Sequence, residues 1–275
     1  MVGVTDAMPA SEASSGRKSA PPQGLFFLFS AGERPTRGTI LALIETMENV
    51  WVSFDPASAG DDPRDSAEGR NAFRGQWLEL MMAGLTFDLL GLAPLPAVEP
   101  PAIAHRLATD QLRDSDQLEG LALVPGPHIA DGANSLPIVR AMLDLGCRLA
   151  SGLPGIEAVC WSPARTAIET AMFCRLVEGW MAGGPFPALG LTAFAPQDDG
   201  SLVSEGLGFF VGQELRLSPP LCEDRLAATR MAMRLVHEVV GTGRIESGQE
   251  ITLDSGERLW LSPGEDRGLI EVARM

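Results

Sequence analysis

The 275-residue chain carries 36 acidic against 21 basic side chains, a formal net charge of −15, with 45% hydrophobic residues and a mean hydropathy of +0.09. That size and apolar content suffice for one large domain or two packed subdomains, while the acidity and the dispersed cations argue against nucleic acid or anionic lipid as partners. No apolar run reaches the roughly 18 to 20 residues that cross a bilayer, and the polar opening MVGVTDAMPASEASSGRKSAPPQG has no signal-peptide core, so a cytoplasmic protein with a disordered tail over 1–23 is expected.

In chain order, GLFFLFS (24–30) is a short continuous apolar run and PTRGTILALIETMENV repeats apolar residues at helical spacing, which predicts strand then helix. VWVSF (50–54) is β-branched and aromatic, giving a βαβ-like opening. The polar stretch 55–75 predicts a loop, and WLELMMAG and LTFDLLGL predict neighbouring strands. The proline-rich connector APLPAVEPPA (93–102) is the candidate subdomain boundary, with the division drawn near residue 115. This gives an N-terminal α+β subdomain over 24–115 and a C-terminal α/β subdomain over 116–275.

Beyond the connector the pattern predicts strand LEGLALV, helix 135–150, strand EAVCW, helix 164–181 and strand ALGLTAF. Two successive strand–helix–strand units imply parallel pairing with helices covering the sheet. DGSLVSEGLGFF and QELRLSP predict antiparallel strands, a helix over 223–240 stopped by Gly241 follows, and EITLDSG, ERLWLSPG and RGLIEVAR predict short terminal strands. The expected fold class is α+β or α/β, with mixed sheets covered by helices in two packed subdomains.

The stretch LVPGPHIADGANSLPIVR (123–140) places Ser135 before an apolar stripe of Ile138, Met142, Leu145 and Leu149, with Pro137 in the first turn. Ser162, Pro163 and Arg165 repeat the device after AVCW. If both strands are adjacent and parallel, two helix N-termini open at one sheet edge, where backbone N–H groups and dipole ends favour an anion. The possible ligand-binding set there is His128, Asp131, Ser135, Ser162 and Arg165. Capping rules alone already account for the serines and prolines, so a capped turn is the first reading.

Other chemistry is sparse. The only lysine, Lys18, lies in the tail and there is no tyrosine, which removes Schiff-base, P-loop and kinase-type lysines from the folded part. His105, His128 and His237 show no metal-ligand spacing, and neither GxSxG nor GxGxxG is present. His237, beside Arg234 and Glu238, reads as an ordinary helix-end histidine. Cys147, Cys160, Cys174 and Cys222 have no CxxC pairing and read as reduced, mostly buried thiols, so a Cys160–His128 catalytic pair is disfavoured. Glu205 and Glu214 flank a glycine-rich turn; two carboxylates can do acid–base work, but on strand edges they more often solvate.

The second half, through AVCW, GLTAFAPQDDGSLVSEGLGFFVGQELRL and a helix leading to a late strand pair, resembles the bacterial domain of unknown function 4261. The Ser-Glu before GLGFF stands where that family pattern leads one to expect a threonine. The resemblance implies an intracellular α+β domain with no catalytic residues to carry over. It also implies a tight turn or bulge at Gly206, Gly208 and Gly212, with Glu214 paired to a neighbouring cation.

The expected function is therefore a non-enzymatic binding or protein-interaction module, its partner a protein or a small anionic ligand, with no cofactor, no metal and no catalytic residue. The alternative is a small-molecule enzyme or anion-binding protein at the paired helix N-termini, with His128 as acid–base group. That alternative requires Arg165 to lie near His128 and to be unspent on a surface glutamate.

Overall fold

The computed structural model describes residues 22–58, 77–109, 111–253 and 255–275. The expected tail, apart from Pro22 and Gln23, and all but the first four residues of the 55–75 loop lie outside the described residues.

The architecture is α+β, with two mixed sheets and helices packed against them. The first half supplies β1 (Leu25–Ser30), α1 (Arg37–Ile44), β2 (Val50–Phe54), β3 (Trp77–Met82), β4 (Leu85–Leu90) and β5 (His105–Leu107). Then come β6 (Leu118–Pro125), α2 (Leu136–Gly152), β7 (Ile156–Trp161) and β8 (Thr166–Ile168), and these strands form an eight-stranded sheet in the order β2-β3-β4-β6-β1-β7-β8-β5. The remainder is α3 (Thr170–Met181), α4 (Ala188–Leu191), β9 (Ala193–Pro196), β10 (Leu202–Glu205), α5 (Leu207–Val211), β11 (Glu214–Leu217) and α6 (Arg225–Thr242). The last strands are β12 (Gln249–Thr252), β13 (Arg258–Pro263) and β14 (Leu269–Arg274), which complete a six-stranded sheet ordered β12-β13-β14-β11-β10-β9.

β1 explains the first sheet. A continuous apolar strand buries both faces: Leu25, Phe27 and Phe29 join the main core, while Phe26 and Leu28 join a small second core with Val98, Leu112, Ala122 and Cys160. The proline connector therefore covers the sheet rather than separating domains. Val98 N–H donates to Gly120 O at 3.1 Å, and a Cβ on Gly120 would stand 2.6 Å from Val98 O, so only glycine lets the connector lie that close. Arg34, 9% exposed, ties the connector down through Gly91 O, Leu95 O and Glu119.

The first sheet takes β6, β7 and β8 from beyond residue 115, so the sheets do not divide the chain there. One contiguous main core runs from Leu25 to Val272 and joins both sheets.

The expected parallel pairing is corrected by the same strand. β6 and β7 are mutually parallel, but β1 inserts between them antiparallel to both. The opening βαβ is likewise absent, because β3, β4 and β6 lie between β2 and β1. The adjacent parallel pairs are β5 with β8 and β11 with β14.

The helix expected over 164–181 starts only at Thr170. Ser162–Ala164 is a 3-10 turn, Arg165 turns left-handed at φ 48°, and Thr166–Ile168 folds back on β7 as a hairpin. The run Thr-Ala-Ile suits a strand, and the Glu169 carboxylate then caps α3 by accepting from Ala171 N at 3.0 Å and Met172 N at 2.7 Å. The strand expected at ALGLTAF begins instead with α4, GLGFF is α5 rather than strand, and α6 runs past Gly241 to end before Gly243 at φ 88°.

Candidate functional site

The two turns expected to make a site do meet at one sheet edge, since Leu25 pairs with Leu123 on one side and Trp161 on the other. Two of their polar groups, Ser162 and Arg165, are however spent on structure. Ser162 Oγ accepts from Gly24 N at 2.9 Å and donates to Pro22 O at 3.2 Å, clasping the chain as it enters β1. Ser135 occupies the N-cap position of α2, but its side chain makes no capping bond.

Arg165 forms a two-pronged ion pair with Glu205 on β10, Nη2 to Oε2 at 3.1 Å, and His105 Nε2 donates to the same carboxylate at 2.9 Å. Burial pushes Glu205 up, but Arg165 and His105 outweigh it and hold the carboxyl below its ordinary range. This trio rivets the first sheet to the second. It leaves Arg165 unavailable to an external anion.

His128 is exposed on the loop after β6. Asp131 lines an open cleft of about 500 Å³ with Pro163, Gly208 and Glu214, whereas His128, Ser135, Ser162 and Arg165 do not. Among the described residues that cleft has two carboxylates and no cation, the wrong sign for an anion.

The glycine turn also differs from expectation. Gly206 at φ 100° and Gly212 at φ 71° bracket the short helix α5, and among the described residues Glu214 pairs with no cation. Its carboxylate instead accepts from the N–H groups of Gly206 (2.9 Å), Leu207 (3.2 Å) and Gly208 (2.9 Å), and from the Ser204 hydroxyl. Burial raises the Glu214 carboxyl above its usual value despite these bonds. Gly208 is needed because a Cβ there would stand 2.9 Å from Glu214 Oε1.

A different region has the attributes of a binding site. A cavity of about 740 Å³ opens between α3 and α6 over the loop 184–189. On α6, Arg230, Arg234 and His237 stand at positions i, i+4 and i+7, one stripe of the helix, and α3 contributes Arg175 and Trp180. Among the described residues the guanidinium groups of Arg175, Arg230 and Arg234 have no hydrogen bond or ion pair. Glu238, four residues after Arg234, lines the cavity without pairing to it. By contrast Arg34, Arg37, Arg148, Arg165, Arg216 and Arg258 all hold carboxylates.

The cavity floor is aromatic. Phe186 stands between Pro185 and Pro187 and meets the Trp180 ring edge-on at 5.6 Å, while Arg140 sits 4.6 Å over the same indole. Phe186 N donates to His237 Nδ1 at 3.1 Å, so the neutral imidazole carries its proton on Nε2. Gly184 makes the loop possible: a Cβ there would collide with Gly179 O at 2.6 Å.

The arginine stripe carried a signal in the sequence. Arg230 has Leu226 and Arg234 at its i−4 and i+4 neighbours and therefore no helical acid to pair with, in a chain where acids outnumber bases. Nothing in the sequence brings Arg175 and the Pro185–Pro187 loop to the same place.

The four cysteines are free thiols. Burial pushes Cys160 up to about 12, which makes it inert at neutral pH. Among the described residues, no group of three His, Cys, Asp or Glu is arranged to hold a metal ion, and no helix is long and apolar enough to cross a membrane. Compared with known protein families, curated proteins and solved structures, the chain matches none.

Proposed function

We propose that this chain is a non-catalytic binding module that holds a small anionic ligand in the cleft between α3 and α6. One observation carries the reading: in a chain of net charge −15, three arginines that form no hydrogen bond or ion pair among the described residues line the same cavity. Guanidinium groups stay protonated and present forks that match carboxylate and phosphate oxygens, so they hold and orient an anion but shuttle no proton. The cavity volume also falls in the range of small-molecule sites.

The sheet-edge alternative is not favoured, because Arg165 is bound to Glu205 and the adjoining cleft is acidic. The acidity of the whole chain argues against nucleic acid, and the resemblance to domain of unknown function 4261 names no ligand of its own.

The test is a thermal-shift titration of the full chain with inorganic phosphate and citrate, repeated on the Arg230→Gln/Arg234→Gln double variant. A ligand at about a hundred times its dissociation constant stabilises the native state by roughly 2.7 kcal/mol. The expected result is a shift in the parent chain and none in the variant. An equal shift in both places the ion elsewhere and overturns the proposal.

A further inference from the structure

We infer that the ligand of the α3–α6 cleft is an organic anion with an apolar aryl or acyl body, held head-first by the arginines with its body against Trp180 and Phe186. This inference rests on the binding function proposed above and adds the ligand's chemical class.

Three features point beyond a simple oxyanion. The cavity, about 740 Å³, is far larger than an inorganic phosphate fills, and a bare ion would leave most of the wall in contact with water. That wall is apolar away from the arginines: Leu176, Leu189, Met233 and Leu253 join the two aromatic rings. Small-molecule sites combine such a wall with a few convergent polar groups that fix orientation.

Cations and apolar groups line the same cavity: α6 supplies Arg230, Arg234 and Met233 with the carboxylate Glu238, α3 supplies Arg175, Leu176 and Trp180, and Phe186 and Leu189 come from residues 184–189. A ligand complementary to this lining has both a charged and an apolar part. A cationic ligand is excluded on two counts. The arginines repel it, and one face of the Trp180 indole is already occupied by the Arg140 guanidinium.

The floor is also set before any ligand arrives. The flanking prolines restrict the backbone at Phe186, and its N–H is anchored on His237 Nδ1. A preorganised wall loses little conformational freedom on binding, which favours a compact small molecule.

The experiment is a calorimetric titration of the full chain with charge-matched pairs: inorganic phosphate against phenyl phosphate, and acetate against phenylacetate, with benzyl alcohol as the uncharged control. Each aryl anion is expected to bind at least about tenfold more tightly than its bare counterpart, the range that an added apolar group commands in a fitted pocket. Leu189→Ala should reduce that advantage, and Arg230→Gln/Arg234→Gln should abolish binding of both members of each pair.

Equal affinity for bare and aryl anions, with both lost in the arginine variant, overturns the apolar-body inference and leaves the anion site standing. Failure of all the anions to bind overturns both. Benzyl alcohol binding as tightly as phenyl phosphate, irrespective of the arginines, also overturns both. A glutamate-rich helical peptide that binds more tightly than phenyl phosphate replaces the small molecule with a protein partner and overturns the inference.

Discussion

Arg165 and the pair Arg230 and Arg234 all sit at surfaces of an acidic protein, yet the structure uses them in opposite ways. Arg165 leaves its turn to clasp Glu205, and with His105 it fastens two sheets together. Arg230 and Arg234 lie one turn apart and form no ion pair among the described residues, although Glu238 stands four residues after Arg234 on the same cavity wall. Position near a helix start or a sheet edge did not leave Arg165 free, whereas on α6 two arginines with no ion pair among the described residues face one cavity together with Arg175.

The largest effect expected from breaking this contrast comes from the cleft floor. Phe186→Ala removes a buried ring that touches Trp180 and Phe210, and should destabilise the fold by about 3–5 kcal/mol in urea unfolding. A loss below about 1 kcal/mol would show that the loop 184–189 is not part of the cooperative core.

Arg165→Ala and Arg230→Gln/Arg234→Gln form a matched pair of tests. The first should lower stability by roughly 0.5–1 kcal/mol, discounted for the 47% exposure of the Arg165 side chain, and should leave any phosphate-induced thermal shift intact. The second should remove that shift while leaving intrinsic stability unchanged or raising it by about 0.2–0.5 kcal/mol, because a like-charge i,i+4 pair disappears. Reversed outcomes would exchange the roles of the two regions.

Ser162→Ala tests the sheet edge as a clasp. It leaves Gly24 N–H without its acceptor at 2.9 Å and should cost about 1 kcal/mol, with no change in anion binding.

The smallest effect is on pH dependence. Glu205 and Asp199 both have folded pKa values below their ordinary ones. For Glu205, burial opposes the shift and the Arg165 and His105 hydrogen bonds prevail; for Asp199 the Ser201 hydroxyl and N–H hold the carboxyl at about 2. A depressed folded pKa means that the unfolded chain binds the proton more readily. The stability these carboxylates contribute is therefore complete above the ordinary carboxyl range near pH 4 and is lost as pH falls through the folded values. Acid unfolding curves of Glu205→Gln should be shallower than those of the parent chain below about pH 4, and coincident curves would show that the trio contributes nothing.

Most elements were legible where local pattern and tertiary use agree. VWVSF is a strand over the expected residues, WLELMM and LTFDLL are an antiparallel pair, and the apolar stripe from Ile138 to Leu149 is the buried face of α2. The misreadings fall where a local pattern has two solutions. Ser162-Pro163 is as good a helix start as a 3-10 turn, and only the pairing of Thr166 with Trp161 decides for a hairpin. Glycines in GLGFF allow a bulge or a helix, and Glu214, which caps that helix through three N–H groups, decides for the helix.

By itself the sequence determined that strands and helices mix, the net charge of −15, the apolar strand that becomes the centre of the first sheet, and the lack of tyrosine and of any lysine but Lys18. Those properties depend on residue type and short-range period, which every window of the chain displays. The tertiary structure alone decided that β1 would separate β6 from β7, that Arg165 would meet Glu205 across 40 residues, and that Arg175 would join Arg230 and Arg234 over Phe186. Each of these depends on which distant segments share a face, and burial of the common core settles that for all of them at once.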